Sequence, residues 1–300
     1  MDKHEPLEAQ LPEAIRAGVE AIRRDNRSGA VELAIRAAEV LAEAAEAEPF
    51  ALAVEAACRA LVKAQPSMAP MVNLSNAALW HGTSPGTLRR VCARFITDLE
   101  KAGEAIAREA AELLAGAGRV MTYSASRTVF EALAAAWENN KEGVVYCTES
   151  RPAGEGLDLA RKLAAAGIRV RLGIDAAMLE YVEEADVAVV GADAVTASGV
   201  VNKRGTALLA LAARHAGKRI YALAGTQKFV PHAYRLPDEP PKAPAEILPE
   251  APEGVEVDNR YFDVTPLDWF AAVVTEKGSL APWQVRERIS RMDLHPALRL

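Results

Sequence analysis

The sequence predicts an α/β protein. An N-terminal helical domain over residues 1–115 is followed by a doubly wound, mostly parallel, Rossmann-like sheet domain over residues 116–300. Three observations predict it. Apolar residues recur at three- and four-residue spacing through most of the first 115 positions, the mark of amphipathic helices. From Gly118 onward short β-rich runs alternate with helical patterns, and such alternation builds a parallel sheet with helices on both faces. Polar residues then gather where the β-rich runs stop, and open α/β sheets bind ligands outside those strand ends.

Along the first half, the run from Ile15 to Ala64 reads as helix interrupted near Asp25–Ser28, with Ser28 placed to cap a helix that begins at Gly29. The stretch QPSMAPMVNLSNAALWHGTSPGT carries Pro66 and Pro70 and reads as irregular. A long helix, LRRVCARFITDLEKAGEAIAREAAELLAG, closes this half. In the second half the β-rich runs are RVMTY, GVVYCTE, IRVRLGI, DVAVVG and RIYALA, with helical patterns between them. The proline-rich acidic stretch from Pro231 to about 260 reads as a long surface excursion, because apolar sequence resumes after it. Within that later sequence, WFAAVV reads as a buried strand, with an interface as the other option.

Half of the 300 residues are hydrophobic, a quarter are charged and the net charge is −6. No basic excess points to DNA as a partner. The opening residues lack a signal peptide's apolar core, and no apolar run is long enough to span a bilayer. Three scattered cysteines, Cys58, Cys92 and Cys147, read as reduced thiols. A cytoplasmic protein without membrane contact is the expectation. The chain has no GxGxxG after the first strand, no GxxxxGK[ST], no HExxH and no GxSxG, and its five histidines are scattered. Neither a metal nor an organic cofactor is expected.

The strand-end polar residues remain: Ser124 and Ser126, Glu149 to Arg151, Asp175, Asp193, and the pair Asn202–Lys203 before a helical run. Asp193 is also readable as a turn or cap aspartate, and Asn202–Lys203 as a hairpin turn with an exposed lysine. An anion at a helix N-terminus would be held by backbone N–H groups, by the helix dipole and by the lysine. A nearby carboxylate could then act as general acid or base. From the residues alone the ligand is an anionic metabolite.

The segments TYSASRTVFEAL, YCTESRPAGEGLDLARKLAAAGI, VVGADAV…GVVNKRGTALLALAA, TQKF and YFDVTPLDWFAAVVTEKGSLAP, in this order, carry a resemblance. The chain resembles the family of the α, β and δ subunits of translation initiation factor 2B, methylthioribose-1-phosphate isomerase and ribose-1,5-bisphosphate isomerase. The resemblance covers most of residues 118–290, and the helical first half fits the family's N-terminal domain.

It implies a phosphosugar pocket between the helices and the sheet edge. The family's catalytic aspartate falls on Asp193 and its phosphate-contacting Asn-Lys on Asn202 and Lys203. Ser126, Arg127, Glu149 and Arg151 fall in matching motifs at the same edge. Ser124 stands where the isomerases carry a cysteine. Ser28-Gly29-Ala30 stands for their Arg-Gly-Ala, with Arg27 one position early, and Gln65-Pro66-Ser67 for their Arg-Pro-Thr. The implied activity is aldose–ketose isomerisation of a sugar 1-phosphate such as ribose 1,5-bisphosphate, by a homo-oligomer, with a dimer as default. The alternative is a non-catalytic protein of initiation-factor type that senses a sugar phosphate or nucleotide, with a translation GTPase as partner.

Overall fold

Alanine is short enough to let helix axes approach closely, and the first third of the chain exploits this. The computed structural model describes residues 11–26, 28–138 and 142–299. Five helices come first: α1 (Glu13–Arg24), α2 (Ala30–Glu43), α3 (Phe50–Ala64), α4 (Ala69–His81) and α5 (Pro85–Leu114). Ile15, Val19 and Ile22 form the buried stripe of α1, and Leu33, Ala34, Ala37, Ala38 and Leu41 that of α2. These residues join Leu61, Met71, Leu74, Leu88 and Phe95 in one core.

α4 departs from the sequence reading, which took this stretch as irregular. Pro70 falls in the first turn, where a missing N–H costs nothing. The helix-weakening Asn and Ser side chains make tertiary bonds instead. Asn73 Nδ2 donates to the carbonyls of Gln227 and Phe229 at 2.6 and 2.8 Å, and Ser75 Oγ donates to Cys58 O at 3.2 Å. Ser28 departs too. It does not cap α2, whose N-cap is Gly29; its N–H and hydroxyl both bond the Asp25 carboxylate at 2.8 Å.

A seven-stranded sheet follows, built from β1 (Arg119–Tyr123), β2 (Val144–Thr148), β3 (Arg169–Gly173), β4 (Val187–Val190), β7 (Arg219–Leu223), β9 (Ala272–Thr275) and β10 (Gly278–Leu280). Its order is β10-β9-β7-β4-β1-β2-β3, and only β10 runs antiparallel to its neighbour. The helices α6 (Arg127–Trp137), α7 (Glu155–Ala165), α8 (Met178–Glu184) and α9 (Thr206–His215) connect the strands, and α10 (Pro282–Ser290) follows the last. Separate apolar clusters cover the two faces. The last turns of α5 belong to the sheet: Ile106, Ala110 and Leu114 pack with Val120, Val129 and Val189. WFAAVV contributes the buried strand β9. Cys147 lies fully buried within β2, where burial pushes its thiol up to about 12.

A second, three-stranded sheet was not foreseen. β5 (Ala194–Val195), β6 (Gly199–Lys203) and β8 (Phe262–Pro266) pair antiparallel in the order β5-β6-β8. Asn202 and Lys203 therefore end a strand; the hairpin turn lies at residues 196–198. Ala194 and Val201 pack with Val62, Ala69 and Val72, which joins this small sheet to α3 and α4. Between Pro231 and Tyr261 the chain is irregular apart from one 3-10 turn, Pro244–Glu246.

Candidate active site at the sheet edge

The strand ends are held by their own loops. Ser124 follows β1 with a φ of 64°, and Ser150 follows β2 with a φ of 61°, a region that non-glycine residues enter only when their surroundings hold them there. Ser124 N–H donates to Ser150 Oγ at 2.8 Å. The N–H groups of Ser150 and Arg151 donate to the Asp175 carboxylate, each at 2.8 Å. Asp175 thus ties down the loop after β2. Ser126 caps α6 by accepting from Val129 N–H at 3.4 Å. After β4, Gly191 permits this packing, because a Cβ there would lie 2.6 Å from Ser126 Oγ.

Asp193 is fixed through its backbone between β6 and α4. Its N–H donates to Val201 O at 2.8 Å, and its carbonyl accepts from Ala69 N–H at 3.1 Å. Its carboxyl faces the cavity at the sheet edge. Burial pushes that carboxyl up to about 6, against the opposing pull of Lys228 and then Lys203. Lys228, in the short turn Thr226–Lys228 after β7, is itself buried, and burial lowers its ammonium from the ordinary value. Lys203 contacts Glu155 Oε1 and sits 4.3 Å from the centre of the Tyr261 ring. Asn202 Nδ2 donates to Thr206 Oγ1 at 2.9 Å.

These groups open on a cavity of about 740 Å³ between the helices and the sheet edge. Of the residues expected from sequence, Gly29, Ala30, Gln65, Ser124, Ser126, Arg127, Asp193, Asn202 and Lys203 line it. Glu149 and Arg151 do not. The Arg151 side chain is exposed and reaches the carbonyl of Glu246 at 3.4 Å. Arg27 lies outside the described residues. Gln65 is committed to structure: its amide donates to the carbonyls of Ile22 and Asp25 at 2.8 and 3.1 Å. Arg127 pairs with Glu131 on its own helix at 2.7 Å.

The helix N-terminus expected to face an anion is occupied. Asp263 accepts from the N–H groups of Gly205 and Ala207 at 2.7 and 3.2 Å, closing the start of α9. The starts of α2 and α6, at Gly29–Ala30 and Ser126–Thr128, line the cavity instead. The cavity walls also include Lys228, Glu155, Tyr261 and Lys242, which the strand-end reading had not singled out. Lys228 was reachable by the same rule, since it follows the β-rich run RIYALA. Tyr261 and Lys242 come from the proline-rich excursion, where no local pattern marks them. Among the described residues no group of three or more His, Cys, Asp or Glu side chains could hold a metal ion, and no helix is long and apolar enough to cross a membrane. The arrangement can hold an anion on buried lysines and helix N-termini, beside a carboxyl able to exchange protons near neutrality.

A sequence model of the initiation factor 2 subunit family matches residues 26–282. Ribose 1,5-bisphosphate isomerase of Archaeoglobus fulgidus is 34% identical over 286 residues, covering 90% of each chain. A Pyrococcus horikoshii protein named as a putative translation initiation factor eIF-2B subunit 2-like is 34% identical over 284 residues, covering 91% of this chain and 98% of its own. A crystal structure of the translation initiation factor eIF-2B of Pyrococcus horikoshii OT3 superposes with a TM-score of 0.82 at 33% identity, over 91% of this chain and 98% of that one. The 5-methylthioribose 1-phosphate isomerase of the same organism shares the fold, with a TM-score of 0.70 at 21% identity over 95% of this chain and 94% of that one.

Proposed function

The chain belongs to the initiation factor 2 subunit family, and we propose that it binds a phosphorylated sugar in the sheet-edge cavity and isomerises it from aldose to ketose. The observation that carries this reading is Asp193, a cavity-facing carboxyl raised to about 6 beside the buried cation Lys228. A general acid or base works best when its pKa lies near the working pH. Asp193 would supply the proton that opens the sugar ring and then move a proton between C1 and C2. The starts of α2 and α6, with Lys228, supply positive potential for a phosphate. Ser124 and Ser126 would contact the sugar. Relatives named ribose 1,5-bisphosphate isomerase, 34% identical over nearly the whole chain, support the reaction class. A cytoplasmic homodimer belongs to the same reading.

A second reading rests on Ser124. A serine hydroxyl is a far weaker acid than a cysteine thiol, so the chain would bind a sugar phosphate or nucleotide without turning it over. It would then act through a translation GTPase, in keeping with its initiation-factor-like relatives.

Phosphorus NMR of the protein mixed in turn with several phosphopentoses separates the two. Under the first reading a new resonance grows with time, and Asp193→Asn slows its growth by about 10²–10⁴-fold while the sugar still binds. An unchanged rate in Asp193→Asn removes Asp193 from the chemistry. Shifted resonances without conversion select the second reading.

A further inference from the structure

Asp193 and the turn that carries Lys228 are fastened to the same helix. In the first turn of α4 the N–H of Ala69 donates to the carbonyl of Asp193 at 3.1 Å. One helical turn on, Asn73 Nδ2 donates to the carbonyls of Gln227 and Phe229 at 2.6 and 2.8 Å. Positions i and i+4 lie one above the other on a helix face, so adjacent points of one surface grip both segments. The two gripped carbonyls belong to the residues immediately before and after Lys228. An amide nitrogen has two hydrogens to donate, enough for both.

Other bonds fix where the turn begins and where the chain leaves it. The Glu276 carboxylate accepts from Thr226 N–H at 3.0 Å and from Thr226 Oγ1 at 2.5 Å. Past the turn, Val230 N–H donates to Val195 O at 2.8 Å. Asn73 acts between these points, on the backbone at Lys228 itself.

That placement has electrostatic weight. Burial pushes the Asp193 carboxyl up to about 6, and the strongest opposing pull is that of Lys228. The other charges acting on Asp193 are Lys203 at the end of β6, Glu155 at the start of α7 and Glu239 in the irregular segment. Lys228 interacts with Asp193 and with Glu32 of α2. It also borders a small cavity with Glu100 of α5 and with Arg127 and Glu131 of α6, which pair with each other. α4 carries no Asp, Glu, Lys or Arg, so it acts on this field by where it holds Lys228. In a poorly screened setting the attraction between opposite charges depends steeply on that placement.

Resting on the reading of Asp193 as the acid–base group, we propose that Asn73 is a positioning residue for the reaction, holding the Lys228 ammonium in register with the Asp193 carboxyl and so coupling the helical domain to the chemistry at the sheet edge. Without Asn73 the turn is free to carry Lys228 away. The pull that opposes protonation then weakens, and Asp193 holds its proton more tightly.

Carbon-13 NMR of the full chain labelled at its aspartate carboxyls tests the proposal, the Asp193 resonance being the one missing from Asp193→Asn. Asn73→Ala should raise the midpoint at which Asp193 titrates by about one pH unit, and the midpoint that Asp193 imposes on turnover should rise with it. Asn76→Ala controls for the loss of α4 hydrogen bonds as such. Asn76 bonds Asp293 O and His295 N–H at 2.9 and 2.7 Å, holding the C-terminal segment instead, and its loss should leave the midpoint in place. Lys228→Met should raise the midpoint at least as far as Asn73→Ala, and combining the two should add nothing more. Asn73→Ser, with one donor for two carbonyls, is the gentler variant and should give a smaller rise. An unmoved midpoint in a folded Asn73 variant, or an equal rise in Asn76→Ala, overturns the proposal. A wild-type midpoint in Lys228→Met overturns it too, whether or not the Asn73 variants fold. A midpoint that moves as expected in a protein that converts no phosphopentose overturns the isomerase reading and leaves the coupling of Asn73, Lys228 and Asp193 standing.

Discussion

The helical wall of the cavity presents backbone and the carboxylates of Asp25 and Glu32, whereas the sheet wall sets lysines against carboxylates. On the helical side, Gly29 and Ala30 offer the start of α2, and the polar side chains nearby are engaged within the fold: Gln65 with two carbonyls, Asp25 with Ser28 and Arg36. On the sheet side, Asp193, Lys228 and Glu155 keep part of their electrostatic demand unmet, with a raised carboxyl, a lowered ammonium and an unpartnered carboxylate oxygen. The difference separates holding from reacting. Groups satisfied by the fold shape the cavity; groups the fold leaves unsatisfied are those a ligand can complete.

The largest of these stability effects should come from a close contact at the sheet wall. Gly191→Ala places a methyl 2.6 Å from Ser126 Oγ and 2.7 Å from its Cβ, and should cost up to about 3 kcal/mol. Thermal unfolding measures this, and a variant as stable as wild type would show that the α6 cap yields easily.

Next comes the pH dependence of Asp193. Its folded value, about 6, lies above the ordinary one near 4, so the folded state holds the proton more tightly. The associated stability is fully present below about pH 4 and is lost as pH rises through about 6, by about 2–3 kcal/mol. Comparing unfolding of wild type and Asp193→Asn from pH 4 to 8 should show wild type losing ground over that window. A constant difference would place Asp193 in a far wetter setting.

The helical wall should give the smallest effect. Gln65→Leu removes two hydrogen bonds to the carbonyls of Ile22 and Asp25 and should cost about 1–2 kcal/mol. If Gln65 is structural, sugar affinity falls only as far as the α1–α2 loop loosens, and the pH profile of turnover stays put. A larger loss of binding than of stability would make Gln65 a ligand contact and erase the contrast between the walls.

Much of this was legible in the chain. The alternation after Gly118 marks five strands of the main sheet because each is short, apolar and followed by a helix with its own period. The polar strand ends led to Ser124, Ser126 and Asp193, which line the cavity. The same rule also picked Glu149 and Arg151, which turn elsewhere, because the loop after β2 is steered by Asp175 through bonds that no spacing reveals. α4 was obscured because its Asn and Ser residues weaken a helix locally and are recovered by partners as distant in sequence as Phe229.

What the sequence by itself determined is everything carried by short-range pattern: helical and strand periods, their order, and the residue types waiting at each strand's end. What only the tertiary structure decided is the company those residues keep. Pairing of β6 with β8 joins segments about sixty residues apart, and it brings Tyr261 over Lys203 and Asp263 to the start of α9. Periodicity reports which face of an element is buried; it carries no term for which distant charge is buried beside it. That choice sets the Asp193 proton and the Glu155–Lys203 pair, and only the closed chain makes it.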